Sequence, residues 1–438
     1  MATGVAVGLV ALGQPGISGA RSPSPLTISA PSVRATGVPI ALTGGGAPAG
    51  APVAVQRLRP AGWLTIKTAT ADAQGRVSIS YRPQQLSRRY RLRLATAGAT
   101  SQELTVRSRD VTLAAFGDAN FGDGVRTVMA QRGARWPWRG VAPTLRRADV
   151  AFGNLECAIS NRGSPVPKQF NFRGRPRALR QVVRFAGLDV LNLANNHAGD
   201  YGRAALLDTV RNVRGAGALA VGAGADLAAA RRPRVIERLG LRIAFVGFSD
   251  IGPTSFAAGR RRAGTSFASS RAIRQGVRAA KRRGDIAIAT FHWGIEREMH
   301  ENARQRAFAR TALKAGASAV IGAHPHVLQP IRRPSRRRLI AYSLGNFVWA
   351  AGSPATSATG ILRLRLSRRG VEGSKLLRAR ERPTVSTPMT WDEVRACHDG
   401  GDPRALAFDS AQVLERVAEQ GDLFAPVLSL VQEIPALG

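Results

Sequence analysis

The sequence predicts an α/β fold preceded by a small all-β domain. Three observations carry that reading. From Val111 onward, near-continuous apolar runs alternate with longer stretches of helical periodicity, the pattern of strands buried on both faces and joined by crossover helices. Before that point, short β-type runs are separated by glycine-rich turns, as in an antiparallel sandwich. Finally, clusters of Asp, Asn, Glu and His follow directly on the apolar runs, where α/β folds place their functional groups.

The chain has 438 residues, room for two or three domains. A hydrophobic fraction of 44% excludes wholesale disorder. The formal net charge is +36, nearly all of it from Arg, since Lys occurs only at Lys67, Lys168, Lys281, Lys314 and Lys375. Such a charge arises either from a compositional preference for Arg on solvated faces or from life beside a polyanion. The absence of any CxxC excludes a thiolate zinc site, while Cys157 and Cys397 leave one disulfide open. There is no apolar run of about 18 residues, and so no membrane-spanning helix is expected.

Residues 1–37 read as a signal-like segment and linker. Val5–Leu12 is apolar and is followed by small residues up to Ala20, but the first positive side chain is Arg21, so the basic start of a secretory signal is missing. The pattern still favours export to an extracytoplasmic location. Residues 22–37, rich in Ser, Pro and Ala, read as linker. Residues 38–108 show β-type runs at Val38–Leu42, Val53–Leu58, Leu64–Thr68, Arg76–Tyr81, Tyr90–Thr96 and Glu103–Val106. This segment resembles the immunoglobulin-like modules of bacterial exported proteins and carries no cluster of His or carboxylates. Residues 110–380 hold the α/β domain, with strands at Val111–Phe116, Val150–Phe152, Val190–Leu193, Ile243–Gly247, Ile286–Phe291, Ala319–Ile321 and Leu339–Ser343. Its helices are expected at Pro176–Ala186, Arg203–Ala216, Ser269–Arg283 and Asn302–Ala315. Residues 381–438 form a C-terminal extension with a helix-like piece at Ser410–Gln420.

The chemistry sits at the strand ends. The chain has six histidines, four of them in these clusters. Gly117-Asp118-Ala119-Asn120, Gly153-Asn154-Leu155-Glu156, Asn195-Asn196-His197 with Asp200, His292-Trp293-Gly294, His324-Pro325-His326 and Ser343-Leu344-Gly345-Asn346 each follow an apolar run. Oxygen donors mixed with imidazoles suit Mn, Fe, Zn or Mg. Each cluster has a plainer reading: Asp118 as a helix cap, Asn195-Asn196 as a turn, His292 as a core histidine. Their conjunction points to a metal site. No Gly-x-Ser-x-Gly elbow or phosphate-binding Gly-x-x-x-x-Gly-Lys loop occurs. Arg173, just before the Asn-Asn-His strand, is a candidate anion clamp; the plainer reading is a solvated Arg. Asn346 is a second candidate substrate contact.

These phrases, together with Leu193-Ala194-Asn195-Asn196-His197, Val327-Leu328-Gln329-Pro330 and Tyr342-Ser343-Leu344-Gly345-Asn346-Phe347, resemble those of the CapA family. Its members are capsule or poly-γ-glutamate synthesis proteins related to calcineurin-like metallophosphoesterases. The resemblance implies a sandwich of β-sheets flanked by helices and two divalent ions. Asp118 and His326 would hold the first ion, Glu156 would bridge, and Asn196, His292 and His324 would hold the second. His197 would act as a catalytic acid, with Asp118 also in the reacting centre. The sequence departs from the superfamily at Asn120, where a His is usual, which leaves the first ion short of an imidazole. Two functions follow as expectations. One is an exported metal-dependent phosphoesterase acting on a phosphorylated envelope substrate. The other is a non-catalytic factor that binds metal and an anionic envelope polymer, with peripheral membrane association compatible with its charge. Nucleic-acid processing is disfavoured, because the charge is spread along the chain rather than gathered into a binding motif.

Overall fold

The computed structural model describes residues 25–82, 89–350, 353–382 and 385–388. The chain divides into two compact units. In the smaller unit, strands Thr27–Ser29, Ile40–Gly45 and Val77–Tyr81 form one antiparallel sheet. Leu104–Arg109, Arg89–Ala95, Pro52–Arg59 and Gly62–Thr70 pair in that order in a second. Alternation decides which side chains go inward: Val53 and Val55 join Ile40, Leu42, Val77, Ile79, Tyr90, Leu92 and Leu94 in one core, as the two-residue strand period requires.

The larger unit comprises Ala35–Val38 and the described residues from Arg109 onward. Its main strands are β1 (Val111–Ala119), β2 (Val150–Leu155), β3 (Val190–Asn192), β4 (Leu219–Val221), β5 (Leu241–Ser249), β6 (Ile286–His292), β7 (Ala319–Ala323), β8 (Arg338–Ala341), β9 (Asn346–Val348), β10 (Ala358–Ser367) and β11 (Gly370–Arg382). Its main helices are α1 (Asp123–Arg132), α2 (Pro176–Ala186), α3 (Gly202–Gly215), α4 (Ser270–Arg283) and α5 (Ala303–Lys314). One sheet runs β4-β3-β2-β1-β10-β11, with β9 paired to the far end of β1. The strands from β4 to β1 are parallel, and β10 is antiparallel to β1. The second sheet carries β5-β6-β7-β8 in parallel, edged by two antiparallel strands, Arg234–Arg238 and Ile331–Ser335.

The sheets face each other across one core. Leu113, Ala115, Val150, Phe152 and Val190 meet Ile243, Phe245, Ile286, Ile288 and Ile321 there, and Phe152 stacks on Phe245 with centroids 5.4 Å apart. The outer face of the first sheet is covered by α2 and α3 through Leu179, Val182, Leu206 and Val210. The outer face of the second is covered by α4 and α5 through Ile273, Val277, Phe308 and Leu313. Each such large side chain contributes about 1.5–3 kcal/mol on burial. The result is a helix–sheet–sheet–helix sandwich, a mixed α/β unit as the alternating pattern predicts.

Local chemistry sets the helix ends. Pro176 occupies the first turn of α2 and Gly187 closes it at φ 69°, the left-handed cap that glycine takes at least cost. Ser269 caps α4 by accepting from Ala272 N. Asn302 and Gln305 form a reciprocal capping box on α5. The expected helices therefore begin one residue after Ser269 and Asn302, which serve as caps.

Two stretches differ from the sequence reading. Within the expected linker, Thr27–Ser29 and Val33–Ala35 are strands, three residues each and too short to show alternation. Ala35–Val38 packs in the larger unit: Ala35 N donates to Leu239 O at 2.9 Å and Thr36 N to Arg109 O at 3.0 Å, with Ala35 and Val38 in the inter-sheet core. The β10–β11 hairpin was not expected, because its alternating Leu-Arg run breaks the apolar continuity used to find strands. Met1–Ala20, Cys397 and Ser410–Gln420 lie outside the described residues.

Register prepares the site. Asn154 on β2 sits opposite both Asn192 of β3 and Asp118 of β1, and Asn346 of β9 sits opposite Asp118. Four polar side chains thus form one row across the carboxyl end of the sheet. On the other sheet, His292 ends β6 beside Ala323 of β7.

Candidate metal centre

Asp118 is not a helix cap. It is fully buried within β1 and accepts from Asn154 Nδ2 at 2.7 Å and from the backbone N–H of His324 at 3.1 Å. Gly117 lets the backbone come close: a Cβ there would lie 1.9 Å from Gly345 O. The His324-Pro325-His326 turn holds both imidazoles at positive φ, 101° and 59°, a conformation that side chains other than glycine adopt at a cost and that clusters at functional sites.

The expected ligands converge. Donor atoms of Glu156, His292 and His324 lie within 4.8 Å of one another, as do those of Asp118, Glu156 and His326. Asn196 joins the first group, its Oδ1 2.8 Å from His292 Nε2, and Glu156 Oε1 is 3.2 Å from the same nitrogen. The two groups share Glu156. The two donor groups therefore overlap at one carboxylate.

The donor set fits a divalent cation. Glu156 Oε1 and His324 Nδ1 are buried with no hydrogen-bond partner among the described residues, an arrangement that costs free energy unless an ion takes them up. Burial pushes the Glu156 carboxyl well above its ordinary range, and the Asp118 charge adds to that. Burial also works on Asp118, but hydrogen bonding to His326 and the nearby imidazoles outweigh it and hold Asp118 low. Burial, with His324 alongside, keeps His292 neutral; His324 is pushed down to about 3, with His326 adding to burial. His292 and His324 are thus held as neutral imidazoles, the form in which histidine ligates a cation, and a cation would relieve the crowding of Glu156 against Asp118.

Residues 112–351 match the family described as "Bacterial capsule synthesis protein PGA_cap". The chain belongs to this family. It is 33% identical over 282 residues to the PGA biosynthesis protein CapA of Bacillus subtilis, covering 62% of this chain and 72% of that one. It is 29% identical over 268 residues to the capsule biosynthesis protein CapA of Bacillus anthracis, covering 59% and 65%. The capsule-synthesis family in turn implies the metallophosphoesterase superfamily.

Within this capsule-synthesis domain, several residues that hold the site carried little sequence signal. Asn154 is a hub: its Nδ2 reaches Asp118, Glu156 Oε2 at 3.3 Å and His292 Nδ1 at 3.3 Å, and its Oδ1 accepts from Asn192 at 2.9 Å and Asn195 at 3.3 Å. Such surrounding bonds fix the orientation of ligands. His197 projects Nε2 toward the centre, 4.0 Å from Glu156 Oε1, while its Nδ1 lies 2.7 Å from Asp200 Oδ2. Lys168 converges on the same group, donating to Asp200 Oδ1 at 2.6 Å and Asn196 O at 2.7 Å. As one lysine in a proline-bordered loop it had no pattern to mark it. Phe172 packs its ring on His197 at 4.3 Å and meets Trp349, which in turn packs on His326 at 4.8 Å, so aromatic walls limit water.

The two expected substrate contacts, Arg173 and Asn346, make hydrogen bonds within the chain. Arg173 Nη2 donates to the carbonyls of Arg162 and Gly163 at 2.9 and 2.7 Å, and its guanidinium lies 3.5 Å over the Tyr201 ring. These bonds tie down the Arg162–Gly163 loop, while Arg173 Nε is buried with no hydrogen-bond partner among the described residues. Asn346 Oδ1 is 2.8 Å from His326 Nδ1, and its Nδ2 donates to Thr356 O at 3.0 Å. Its amide positions His326. Cys157 is buried and free, and burial pushes its thiol up.

Proposed function

We propose that this chain is an exported, metal-dependent phosphoesterase-type protein acting in the synthesis of capsule, poly-γ-glutamate or a related envelope polymer. The observation that carries the reading is the pair of donor sets sharing Glu156, with His197 and its Asp200 partner at their edge. Divalent ions, when bound, supply Lewis acidity toward a phosphoryl oxygen. The chain's own residues do the rest. Asp200 accepts from His197 Nδ1 and so leaves Nε2 as the proton-exchanging atom facing the centre; once protonated, the imidazolium is steadied by Asp200 and can donate to a leaving oxygen. Phe172 and Trp349 keep that exchange out of bulk water. The test is metal analysis of the purified chain, then a phosphoester hydrolysis screen with Mn, Zn or Mg added. Metal uptake with hydrolysis of at least one phosphoester supports the proposal, and a metal-loaded chain inert toward all of them favours the second reading.

The second reading is a metal- and polyanion-binding envelope factor without turnover. A basic helical face favours it. Helix α4 carries Arg271, Arg274, Arg278, Lys281, Arg282 and Arg283, all exposed, and contains no acidic residue. A cavity of about 380 Å³ is lined by Arg231, Arg232, Arg282 and Arg283, and one of about 260 Å³ by Arg274, Arg278 and Lys314. Some arginines elsewhere are paired, as in Arg109–Asp149, Arg238–Asp189 and Arg304–Asp250. Unpaired like charges repel one another and favour an anionic partner. Among the described residues no helix is long and apolar enough to cross a membrane. Export rests on the Val5–Leu12 pattern, and the small unit is read as an immunoglobulin-like spacer. Titration against an acidic polypeptide and duplex DNA at two salt concentrations separates a functional charge from a compositional one: equal, feeble binding to both means composition.

A further inference from the structure

Asn120 does not fill the place of the missing imidazole. Its Oδ1 accepts the backbone N–H of Gly122 at 2.7 Å, forming a local turn just before α1. The set made by Asp118, Glu156 and His326 is left one protein donor short of four-coordination.

A carboxylate from another loop lies in reach of His326, the imidazole of that set. Beyond His292, Trp293 is buried and anchored by Nε1 donating to Tyr342 O at 2.8 Å. Gly294 then turns the chain at φ 92°, and the N–H of Arg297 donates to Pro325 O at 2.7 Å. That bond ties the loop to the middle residue of the His324-Pro325-His326 turn. Gln329 holds the loop further along, donating to Glu298 O at 2.8 Å and His300 O at 3.1 Å. The residue so positioned is Glu296: its carboxylate and the donor nitrogens of His324 and His326 lie within 4.8 Å of one another. Glu296 is itself exposed, at the open side of a centre whose other ligands are largely buried.

We propose that Glu296 is a ligand of the ion held by Asp118, Glu156 and His326, standing where the superfamily's imidazole is absent. The inference rests on the metal-centre reading above. It makes that position richer in hard oxygen than an imidazole would, which favours Mn or Mg over softer, nitrogen-seeking ions. Because the ligand comes from a surface loop, this position is also the one that an ion enters or leaves most readily.

The test uses the full chain, stripped with a chelator and titrated with Mn alone, by calorimetry and by equilibrium dialysis with elemental analysis. Glu296→Gln is expected to weaken one class of Mn site by about 10–100-fold and to leave the other class unchanged. Glu296→Asp should recover part of the loss. Glu298→Gln, which removes a neighbouring exposed carboxylate, should bind as the wild type does, and Asp118→Asn should weaken the same class as Glu296→Gln. An isotherm for Glu296→Gln within about twofold of wild type, against the same background, overturns the assignment. A wild-type chain that takes up neither Mn nor Zn overturns the metal centre itself. The two failures are distinguishable, because the first leaves wild-type uptake intact.

Discussion

Asp200 Oδ2 lies 2.7 Å from His197 Nδ1, and its other oxygen accepts from Lys168 Nζ at 2.6 Å. A buried carboxylate thus holds the imidazole and the ammonium at once. The arrangement leaves His197 Nε2 as the free nitrogen of the ring, facing the donor cluster without belonging to it. His197→Ala should therefore retain bound metal while lowering turnover of any accepted phosphoester by about 10²–10⁴-fold. Elemental analysis beside steady-state rates checks this; a metal-free His197→Ala protein would count against the role.

Lys168 makes a separable prediction. Its side chain is 17% exposed and Asp200 is fully buried, so removing the cation strands a charge. Lys168→Met should cost about 3 kcal/mol of unfolding free energy, measured from denaturation midpoints. Lys168→Arg should recover part of it, since a guanidinium keeps the charge but not the compact geometry.

His292→Ala and His324→Ala should each empty the group formed by Glu156, His292 and His324, with far-ultraviolet circular dichroism close to wild type. Both histidines sit where the chain leaves a strand, and the scaffold beneath them packs through other residues. Metal content at the wild-type level in both variants would sink the assignment.

Asp149 links stability to pH. Arg109 grips it through both oxygens at 2.7 and 2.6 Å, and Thr112 donates to it from its backbone and hydroxyl at 2.8 Å each. Partial burial alone raises this carboxyl, but those bonds outweigh it and hold it below its ordinary value. A depressed folded-state value means that the contribution is full above the unfolded value of about 3.9 and is lost as pH falls through the folded one. Asp149→Asn should cost about 1–2 kcal/mol at neutral pH, a figure reduced for the partial exposure of Arg109. The gap from wild type should close below about pH 4. Denaturation across that range decides it.

Residues 35–38 belong with the larger unit, so a fragment starting at 110 loses part of its own core. A chain in which 39–108 is replaced by a short Gly/Ser linker should melt several degrees above the 110–438 fragment. The bridge is short because Thr36 N already reaches Arg109 O. Equal melting temperatures would show that the segment adds nothing to stability.

The sequence by itself determined the α/β class, the buried strands and the polar clusters that accompany them, because these follow from local pattern: apolar runs for buried strands, with polar residues at their carboxyl ends. It did not set where each strand stops, since β1 continues through Asp118 to Ala119. Tertiary structure decided which donor groups come together and which side chains hold them in place. Asn154, Lys168 and Glu296 each act across sequence separations that no local pattern encodes: Asn154 through a strand register that sets it beside Asp118, Lys168 through a loop folded onto Asn196 and Asp200, and Glu296 through one backbone bond to Pro325. Arg173 and Asn346 follow the same rule: the fold brings two carbonyls to the Arg173 guanidinium and an imidazole to the Asn346 amide, and a hydrogen-bonding group takes up what the packed chain sets within reach.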